Sequence, residues 1–206
     1  MVTLISGGGR TVLNLQRKID EGMLHAKIVR VIGSRGDLVG LARAKNAGLS
    51  TACPSPSSFD NQLEELITEA RPDLICLCGY LRHLRIRPDW SGRIINIHPS
   101  LLPRYGGKGM YGRHVHEAVL AAGDDRTGCT VHYVDDQYDH GPIILQRTCA
   151  VRETDTPDSL AARVFKEECV ALPHAISLIA QGQVRLVGTT VEGRPHPVPW
   201  RRDPWS

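Results

Sequence analysis

The feature that most constrains this sequence is the stretch Ile94–Pro103, which reads IINIHPSLLP. Its first half is a β-branched run typical of a buried strand, and its second half breaks into a loop bounded by prolines. Asn96 and His98 are separated by one residue, so on an extended backbone their side chains point to the same side. The stretch therefore predicts a strand that carries an amide and an imidazole to its carboxyl end, where open α/β sheets keep their active sites.

These two side chains suit catalysis, but they also suit a purely structural role. An amide donor can stabilise a developing oxyanion, and an imidazole can move a proton or add positive charge. An Asn and a His at a strand end can equally cap or brace a loop. Their spacing alone leaves both interpretations open.

Strand-like and helix-like segments alternate along the first hundred residues. Strands are predicted at 2–5, 27–32, 50–53, 74–78 and 93–97, and helices at 12–21, 38–46 and 60–70. A helix at 113–122, paired strands at 129–134 and 143–151, and a helix at 156–180 follow, with an interruption near Pro173 left open. The order favours an α/β fold: a doubly wound, mostly parallel, Rossmann-like sheet with an antiparallel hairpin added at one edge.

Composition limits the partners of the chain. Its 206 residues predict a single domain over residues 1–190 and a Pro-rich basic tail over 191–206. A net charge of +3 suits a small anionic substrate but falls short of the basic stripe that nucleic-acid binding requires. The sequence predicts neither a membrane span nor a signal peptide, and its six cysteines match no zinc spacing. We therefore expect a cytoplasmic monomer or homodimer with reduced thiols and no metal.

A glycine-rich turn, Ser6–Thr11, lies between the first predicted strand and the first predicted helix. Backbone N–H groups and a helix N-terminus in this arrangement can hold a phosphate. The motif is neither a Walker loop nor a full dinucleotide fingerprint, and a plain tight turn is the alternative. A nicotinamide oxidoreductase would have an acidic residue at the end of the second strand, where this chain has Gly33-Ser34-Arg35.

Three motifs together resemble one family. The N-terminal Ile5–Gly9, the stretch Asn96–Pro103 and the later Tyr138–Ile143 (YDHGPI) resemble motifs of formyltransferases that use 10-formyltetrahydrofolate. They follow one another along the chain in the order found in that family. The N-terminal motif narrows the resemblance to the phosphoribosylglycinamide formyltransferase family. This resemblance implies transfer of a formyl group to the amine of phosphoribosylglycinamide in purine (IMP) synthesis, with 10-formyltetrahydrofolate as co-substrate and no metal.

The resemblance also implies roles for individual residues. The implied catalytic residues are Asn96, His98 and Asp139. The implied phosphoribosylglycinamide-binding residues are Gly7, Gly8, Gly9, Arg10, Thr11 and Glu168. The implied folate-binding residues are Leu81, Arg82, His83, Leu84, Asn96, Val134, Asp135 and Asp136.

The chain departs from the family pattern at several positions. Two extra residues after Gly9 leave open which of Arg10, Thr11 and Asn14 meets the phosphate. The other departures are Gln62 in place of an Arg used for the folate tail, a longer loop at 104–113, and His140 in place of a Gly beside Asp139. His132 and His174 are interpreted as structural, whereas a supporting role for His114 and His116 stays open.

Other proteins with the same chemistry are alternatives. A methionyl-tRNA formyltransferase should have an additional C-terminal domain, and a formyltetrahydrofolate deformylase an additional N-terminal domain. We expect room for neither in 206 residues. A sugar-amine formyltransferase is not excluded by length, and a nucleotide-binding module without catalytic activity would need only the glycine-rich turn.

Overall fold

The structure is a computed structural model that describes residues 1–193; the predicted tail from residue 194 onward lies outside the described residues. Its elements, in chain order, are β1 (Val2–Ile5), α1 (Arg10–Asp20), β2 (Arg30–Gly33), α2 (Val39–Asn46), β3 (Thr51–Ala52), α3 (Phe59–Ala70), β4 (Ile75–Leu77), β5 (Ile94–His98), α4 (Arg113–Ala121), β6 (Arg126–Tyr133), β7 (Ile143–Ala150), α5 (Pro157–Ala180), β8 (Arg185–Val187) and β9 (Thr190–Glu192).

Seven of the strands form one sheet in the order β3-β2-β1-β4-β5-β6-β7. Strands β1 to β5 pair in parallel, and β6 and β7 form an antiparallel pair. The predicted doubly wound, mostly parallel sheet with an antiparallel hairpin at one edge is therefore confirmed. Strand order reverses between β1 and β4, and open α/β sheets bind ligands at such a reversal.

The chain divides into two compact units, residues 1–96 and the part from Ile97 onward. In the first unit the core is built from the apolar runs of β1, β2 and β4, whose side chains are almost all fully buried. In the second unit, α5 packs on β6 and β7 with a buried apolar face. A single domain over residues 1–190 stays a prediction. No helix within residues 1–193 is long and apolar enough to cross a bilayer.

Helix α1 begins at Arg10, two residues before its predicted start at Val12. Gly9 precedes it with a φ of +70°, a conformation that L side chains rarely adopt. A Cβ on Gly9 would lie 2.9 Å from the Cα of Gly40 on α2, so the turn is also too tight for a side chain. Arg10 and Thr11 consequently belong to the first helical turn.

Helix α5 continues without interruption through Pro173, so the alternative of a break there is wrong. A proline inside a helix removes one hydrogen bond and costs about 3 kcal/mol. The turns around it bury Leu172, Ala175 and Ile176, and this apolar contact offsets the cost.

Two details at the ends of elements were not predicted. Strand β2 begins at Arg30 and not at Lys27, because its register pairs Arg30 with Val2, the first residue of β1. Strands β8 and β9 form a separate two-stranded sheet closed by a two-residue turn. Gly188 in that turn has a φ of +59°, as two-residue hairpin turns require.

Candidate active site

Strand β5 supplies the two side chains from which the site is built. Ile94, Ile95 and Ile97 are buried and fix the strand in the core. Asn96 is half-buried and His98 is only 4% exposed. Both lie at the carboxyl end of the strand, with the spacing of two that the sequence predicts to put them on one side.

Each ring nitrogen of His98 faces an oxygen acceptor. Nδ1 lies 3.3 Å from Oδ1 of Asp139, and Nε2 lies 2.8 Å from the backbone carbonyl oxygen of Tyr105. A carbonyl only accepts hydrogen bonds, and so does an ionised carboxylate. These two contacts fix the orientation of the ring between the hairpin loop and the loop after β5.

Asp139 lies in a left-handed backbone conformation with a φ of +55°, which is uncommon for a residue other than glycine and typical of functional sites. Its Oδ2 accepts a hydrogen bond from the amide of Gly107 at 3.0 Å, and Nε2 of His132 lies 3.7 Å from its Oδ1. Burial alone would raise the pKa of Asp139, but the hydrogen bonds from His132 and His98 outweigh it and hold that pKa well below its usual range. Asp139 is therefore ionised at neutral pH.

The loop between β6 and β7 aims Asp139 at the site. A Cβ on Gly141 would lie 1.9 Å from the carbonyl oxygen of Tyr133, so only glycine fits where the loop closes. His140 turns away from this point, since its Nδ1 lies 2.7 Å from Oδ2 of Asp135. That hydrogen bond raises the pKa of His140. The His that stands where the family pattern has a Gly therefore bonds to Asp135.

The loop after β5 is fixed by one buried hydroxyl. Oγ1 of Thr130 on β6 donates to the carbonyl of Ser100 at 2.6 Å and accepts from the amide of Leu102 at 3.0 Å. The side-chain amide of Gln146 on β7 adds a bond of 2.8 Å to the same hydroxyl. The Pro-bounded loop is thus tied to the hairpin that carries Asp139.

The glycine-rich turn is shaped by helix α2. The carbonyl of Gly7 accepts from the amide of Gly40 at 3.2 Å, and the carbonyl of Gly8 accepts from Nη1 of Arg43 at 3.0 Å. The N–H of a trans peptide points opposite to its C=O, so the amides of Gly8 and Gly9 point away from α2. Successive amides of this kind, followed by a helix N-terminus, can form an anion-binding concavity.

The candidate phosphate contacts after this turn differ in accessibility. Arg10 is exposed and Thr11 half-buried in the first turn of α1. Asn14 is 7% exposed, and its Oδ1 accepts from Nη2 of Arg17 at 3.1 Å. The geometry thus favours Arg10 and Thr11 over Asn14 as phosphate contacts.

The predicted folate segment 81–84 follows β4 at the reversal of strand order. The amide of Leu81 donates to Oγ of Ser6 at 3.0 Å, which ties this segment to the glycine-rich turn. The guanidinium of Arg82 lies 3.8 Å from the ring centroid of Phe59. Leu81 is 49% exposed, whereas Leu84 is buried.

Other residues singled out in the sequence lie as follows. Oε1 of Gln62 accepts from the amide of Ser55 at 2.7 Å. Glu168 is half-buried on α5. The pKa of Cys129 on β6 is raised first by the burial of that thiol and then by the negative charge of Glu168. All six cysteines are free thiols.

The two histidines of α4 have different surroundings. His114 is exposed, with Nδ1 3.6 Å from a carboxylate oxygen of Glu117. His116 is 4% exposed, and its Nδ1 has no hydrogen-bond partner among the described residues. Burial, and then the charge of His98, lower the pKa of His116, which indicates that it lies near His98.

Sequence reasoning missed part of the polar surroundings of His98 and Asp139. His132, interpreted as structural, reaches Asp139, and the 104–113 loop contributes the carbonyl of Tyr105 and the amide of Gly107. A side-chain pattern carries no signal for backbone groups, but His132 had one: it lies on the strand that leads into the Asp139 loop. Within residues 1–193, no group of three or more His, Cys, Asp or Glu side chains is arranged to hold a metal ion.

Together these features define an α/β protein in which Asn96 and His98 lie at the end of β5 and the β6–β7 loop places Asp139 beside His98. Comparison with known proteins makes this specific: residues 1–176 match the formyl transferase family model. The chain is 36% identical to the phosphoribosylglycinamide formyltransferase of Escherichia coli, covering 90% of this chain and 89% of that one. The chain belongs to the formyl transferase family.

Two further relatives agree with this assignment. The crystal structure of glycinamide ribonucleotide transformylase 1 from Symbiobacterium toebii superposes with a TM-score of 0.83 and 37% identity, covering 93% of this chain and 92% of that one. The trifunctional purine biosynthetic protein adenosine-3 of Drosophila melanogaster is 39% identical over 88% of this chain. The chain spans only 14% of that protein's length.

Proposed function

We propose that this protein transfers the formyl group of 10-formyltetrahydrofolate to the amine of phosphoribosylglycinamide, giving phosphoribosyl-N-formylglycinamide in purine synthesis. The observation that carries the proposal is His98, held between the carboxylate of Asp139 and the carbonyl of Tyr105, two residues after Asn96 on one strand. The similarity to the Escherichia coli phosphoribosylglycinamide formyltransferase supports the choice of substrate.

Asn96 and His98 provide the electrostatic part of catalysis. The bound folate supplies a formyl group whose oxygen gains negative charge when the acceptor amine attacks the formyl carbon. The amide of Asn96 donates to that oxygen, and a donor in such a position contributes about 3–4 kcal/mol. Both nitrogens of His98 face protein acceptors, so its ring acts on the oxygen through the positive charge that it carries when protonated. Both residues are fixed before the reaction begins, because β5 is held in the core.

Asp139 has two functions in this mechanism. Its carboxylate faces Nδ1 of His98, fixes the orientation of the ring and stabilises positive charge that the ring carries during the reaction. A carboxylate has about four acceptor positions, so Asp139 can also position a water molecule that carries the proton from the amine to the departing nitrogen.

The two substrates are assigned to different segments. The ribose phosphate binds the Gly7–Thr11 turn, where the amides of Gly8 and Gly9 and the start of α1 offer N–H donors. Glu168 binds the glycinamide part, and the exposed guanidinium of Arg10 adds a positive charge for the phosphate.

The folate binds the backbone of residues 81–84 and 134–136, and the exposed side chain of Leu81 adds an apolar contact. The amide of Leu81 already donates to Ser6, so the pterin uses the other polar groups of these segments. Gln62 bonds locally to Ser55 and brings no positive charge, which predicts weaker dependence on the polyglutamate tail. We also propose a cytoplasmic monomer or homodimer that acts on small molecules and binds neither nucleic acid nor membrane.

The test is an absorbance assay for deformylated folate with purified protein, 10-formyl folate and phosphoribosylglycinamide. Folate product that forms only when the ribonucleotide is present supports the proposal. Folate product that forms equally well without the ribonucleotide would show that the protein is a hydrolase and not a transferase. If the protein has no turnover with phosphoribosylglycinamide but formylates a sugar amine, the acceptor in the proposal is wrong.

A further inference from the structure

One backbone turn, residues 104–107, contacts both members of the His98–Asp139 pair. The carbonyl oxygen of Tyr105 accepts from Nε2 of His98 at 2.8 Å, and the amide of Gly107 donates to Oδ2 of Asp139 at 3.0 Å. A Cβ on Gly106 would lie 3.2 Å from Cβ of Asp139, so the turn also packs against that residue. The position of the 104–107 turn therefore controls hydrogen bonds at both ends of the pair.

The turn is held by Asp124, which follows α4 and is hydrogen-bonded to Arg104 and Tyr105 rather than to His98 or Asp139. The hydroxyl of Tyr105 donates to Oδ2 of Asp124 at 2.7 Å, and Nη2 of Arg104 donates to Oδ1 at 2.9 Å. The hydrogen bond from Tyr105, followed by that from Arg104, outweighs partial burial and lowers the pKa of Asp124. Asp124 is thus an ionised acceptor for two consecutive side chains of the turn.

Tyr105 needs such an anchor because its backbone is strained. Its φ is +56°, in the left-handed region that side chains other than glycine rarely occupy. The strained conformation directs the carbonyl of Tyr105 toward His98 while its ring reaches Asp124. Strain of this kind persists only where surrounding contacts enforce it.

We propose that Asp124 and Tyr105 are positioning residues for the formyl-transfer reaction. Their hydrogen bond keeps the Tyr105 carbonyl on Nε2 of His98, and this contact fixes the orientation of the ring. The inference rests on the proposed function for its effect on the rate. Its structural part, the control of the His98 N–H by a hydroxyl that does not touch it, is independent of the substrate.

The test compares Tyr105→Phe and Asp124→Ala with the wild type and with Tyr111→Phe. Tyr111 belongs to the same loop and is 46% exposed, so loss of its hydroxyl is a matched control. We expect Tyr105→Phe to lower kcat about tenfold, with both KM values within about twofold of wild type, because a misoriented His98 ring weakens transition-state stabilisation and leaves substrate binding intact. Asp124→Asn keeps one acceptor oxygen for the Tyr105 hydroxyl and should recover part of the kcat lost in Asp124→Ala.

A spectroscopic measurement tests the same inference without turnover. In the ¹⁵N-labelled protein, the Nε2–H of His98 should give a slowly exchanging imidazole N–H signal in the wild type and in Tyr111→Phe. The same signal should broaden or vanish in Tyr105→Phe, while the melting temperature stays within a few degrees of wild type. A signal and a kcat that are both unchanged in Tyr105→Phe would overturn the inference. An inactive wild type whose signal still depends on Tyr105 would instead overturn the proposed function and leave the positioning role supported.

Discussion

Nδ1 of His98 lies 3.3 Å from Oδ1 of Asp139, although the two residues are 41 positions apart in the sequence. One of them ends a buried parallel strand, and the other lies in the loop of an antiparallel hairpin. We propose that this pair is the chemical centre of the site, because it joins an ionised carboxylate to a ring whose other nitrogen also faces an acceptor.

Replacing Asp139 with Asn keeps the shape of the side chain and removes its charge. The variant has no carboxylate to position the water that carries the proton from the amine, so we expect kcat to fall by about 100-fold or more, within the range typical of acid–base residues. Both KM values should stay within about twofold, because Asp139 acts in the transition state. Steady-state kinetics measures this split. The control is Asp125→Asn, an exposed carboxylate beside β6 that should leave both constants unchanged. A loss confined to KM would contradict the role.

The lowered pKa of Asp139 should make the stability of the protein depend on pH. The pKa of Asp139 is lower in the folded protein than the value of about 3.9 in an unfolded chain. Its ionised form therefore stabilises the fold above about pH 4, and that contribution is lost as the pH falls through the folded-state value. Thermal melts of wild type and Asp139→Asn should differ most at neutral pH and converge below about pH 4. A difference that grows on acidification would have the wrong sign.

The glycine-rich turn should not tolerate a methyl group at Gly40. A Cβ there would lie 2.4 Å from the carbonyl oxygen of Gly7 and 2.8 Å from the amide nitrogen of Gly9, so the turn must move. We expect Gly40→Ala to raise the KM for phosphoribosylglycinamide about tenfold or more, equivalent to about 1.4 kcal/mol of lost binding, and to leave the KM for the folate near its wild-type value. Gly36→Ala is the control, since nothing lies within 4 Å of its added Cβ. Equal changes in both KM values would indicate a general loss of structure.

Thr130→Val should test how the loop after β5 is held. The substitution keeps the volume and removes a buried hydroxyl that bonds the carbonyl of Ser100 and the amide of Leu102. Leaving buried polar groups without partners costs about 1–3 kcal/mol each, so the free energy of unfolding should fall by at least about 1 kcal/mol in denaturant titrations. Thr148→Val, on the exposed side of β7, should change it by less than about 0.5 kcal/mol. Equal stability of the two variants would mean that the hydroxyl is not an anchor.

The parts of the fold with strong periodicity could be predicted from the sequence. The β-branched run at Ile94–Ile97 and the apolar run of β4 led to the parallel sheet and to the position of Asn96 and His98. The start of α1 could not be placed, because Gly9 and Gly40 meet only in the folded chain. The continuation of α5 through Pro173 depends likewise on tertiary packing, which overrides the local preference against proline.

The sequence predicted three side chains of the candidate site, but it missed His132 and the backbone groups around them. Asn96 and His98 were singled out by their spacing at a strand end and Asp139 by motif resemblance, and the structure brings His98 and Asp139 together. Any residue type could supply the backbone carbonyl that Tyr105 presents to His98, so the sequence has no signal for it. The contact depends on the backbone of Tyr105, whose φ is +56° in the folded chain. A hairpin signal for β8 and β9 was present in Gly188, although the short strands gave little periodicity.

The most direct test of the proposed reaction follows the formyl carbon itself. Purified protein is incubated with 10-formyltetrahydrofolate labelled with ¹³C in the formyl group and with phosphoribosylglycinamide, and both the ribonucleotide and free formate are analysed by mass spectrometry. We predict that the label appears in the ribonucleotide in a one-to-one ratio with deformylated folate, and that this transfer is largely lost in Asp139→Asn. Label recovered as formate, with the ribonucleotide unlabelled, would contradict the assignment as a transferase.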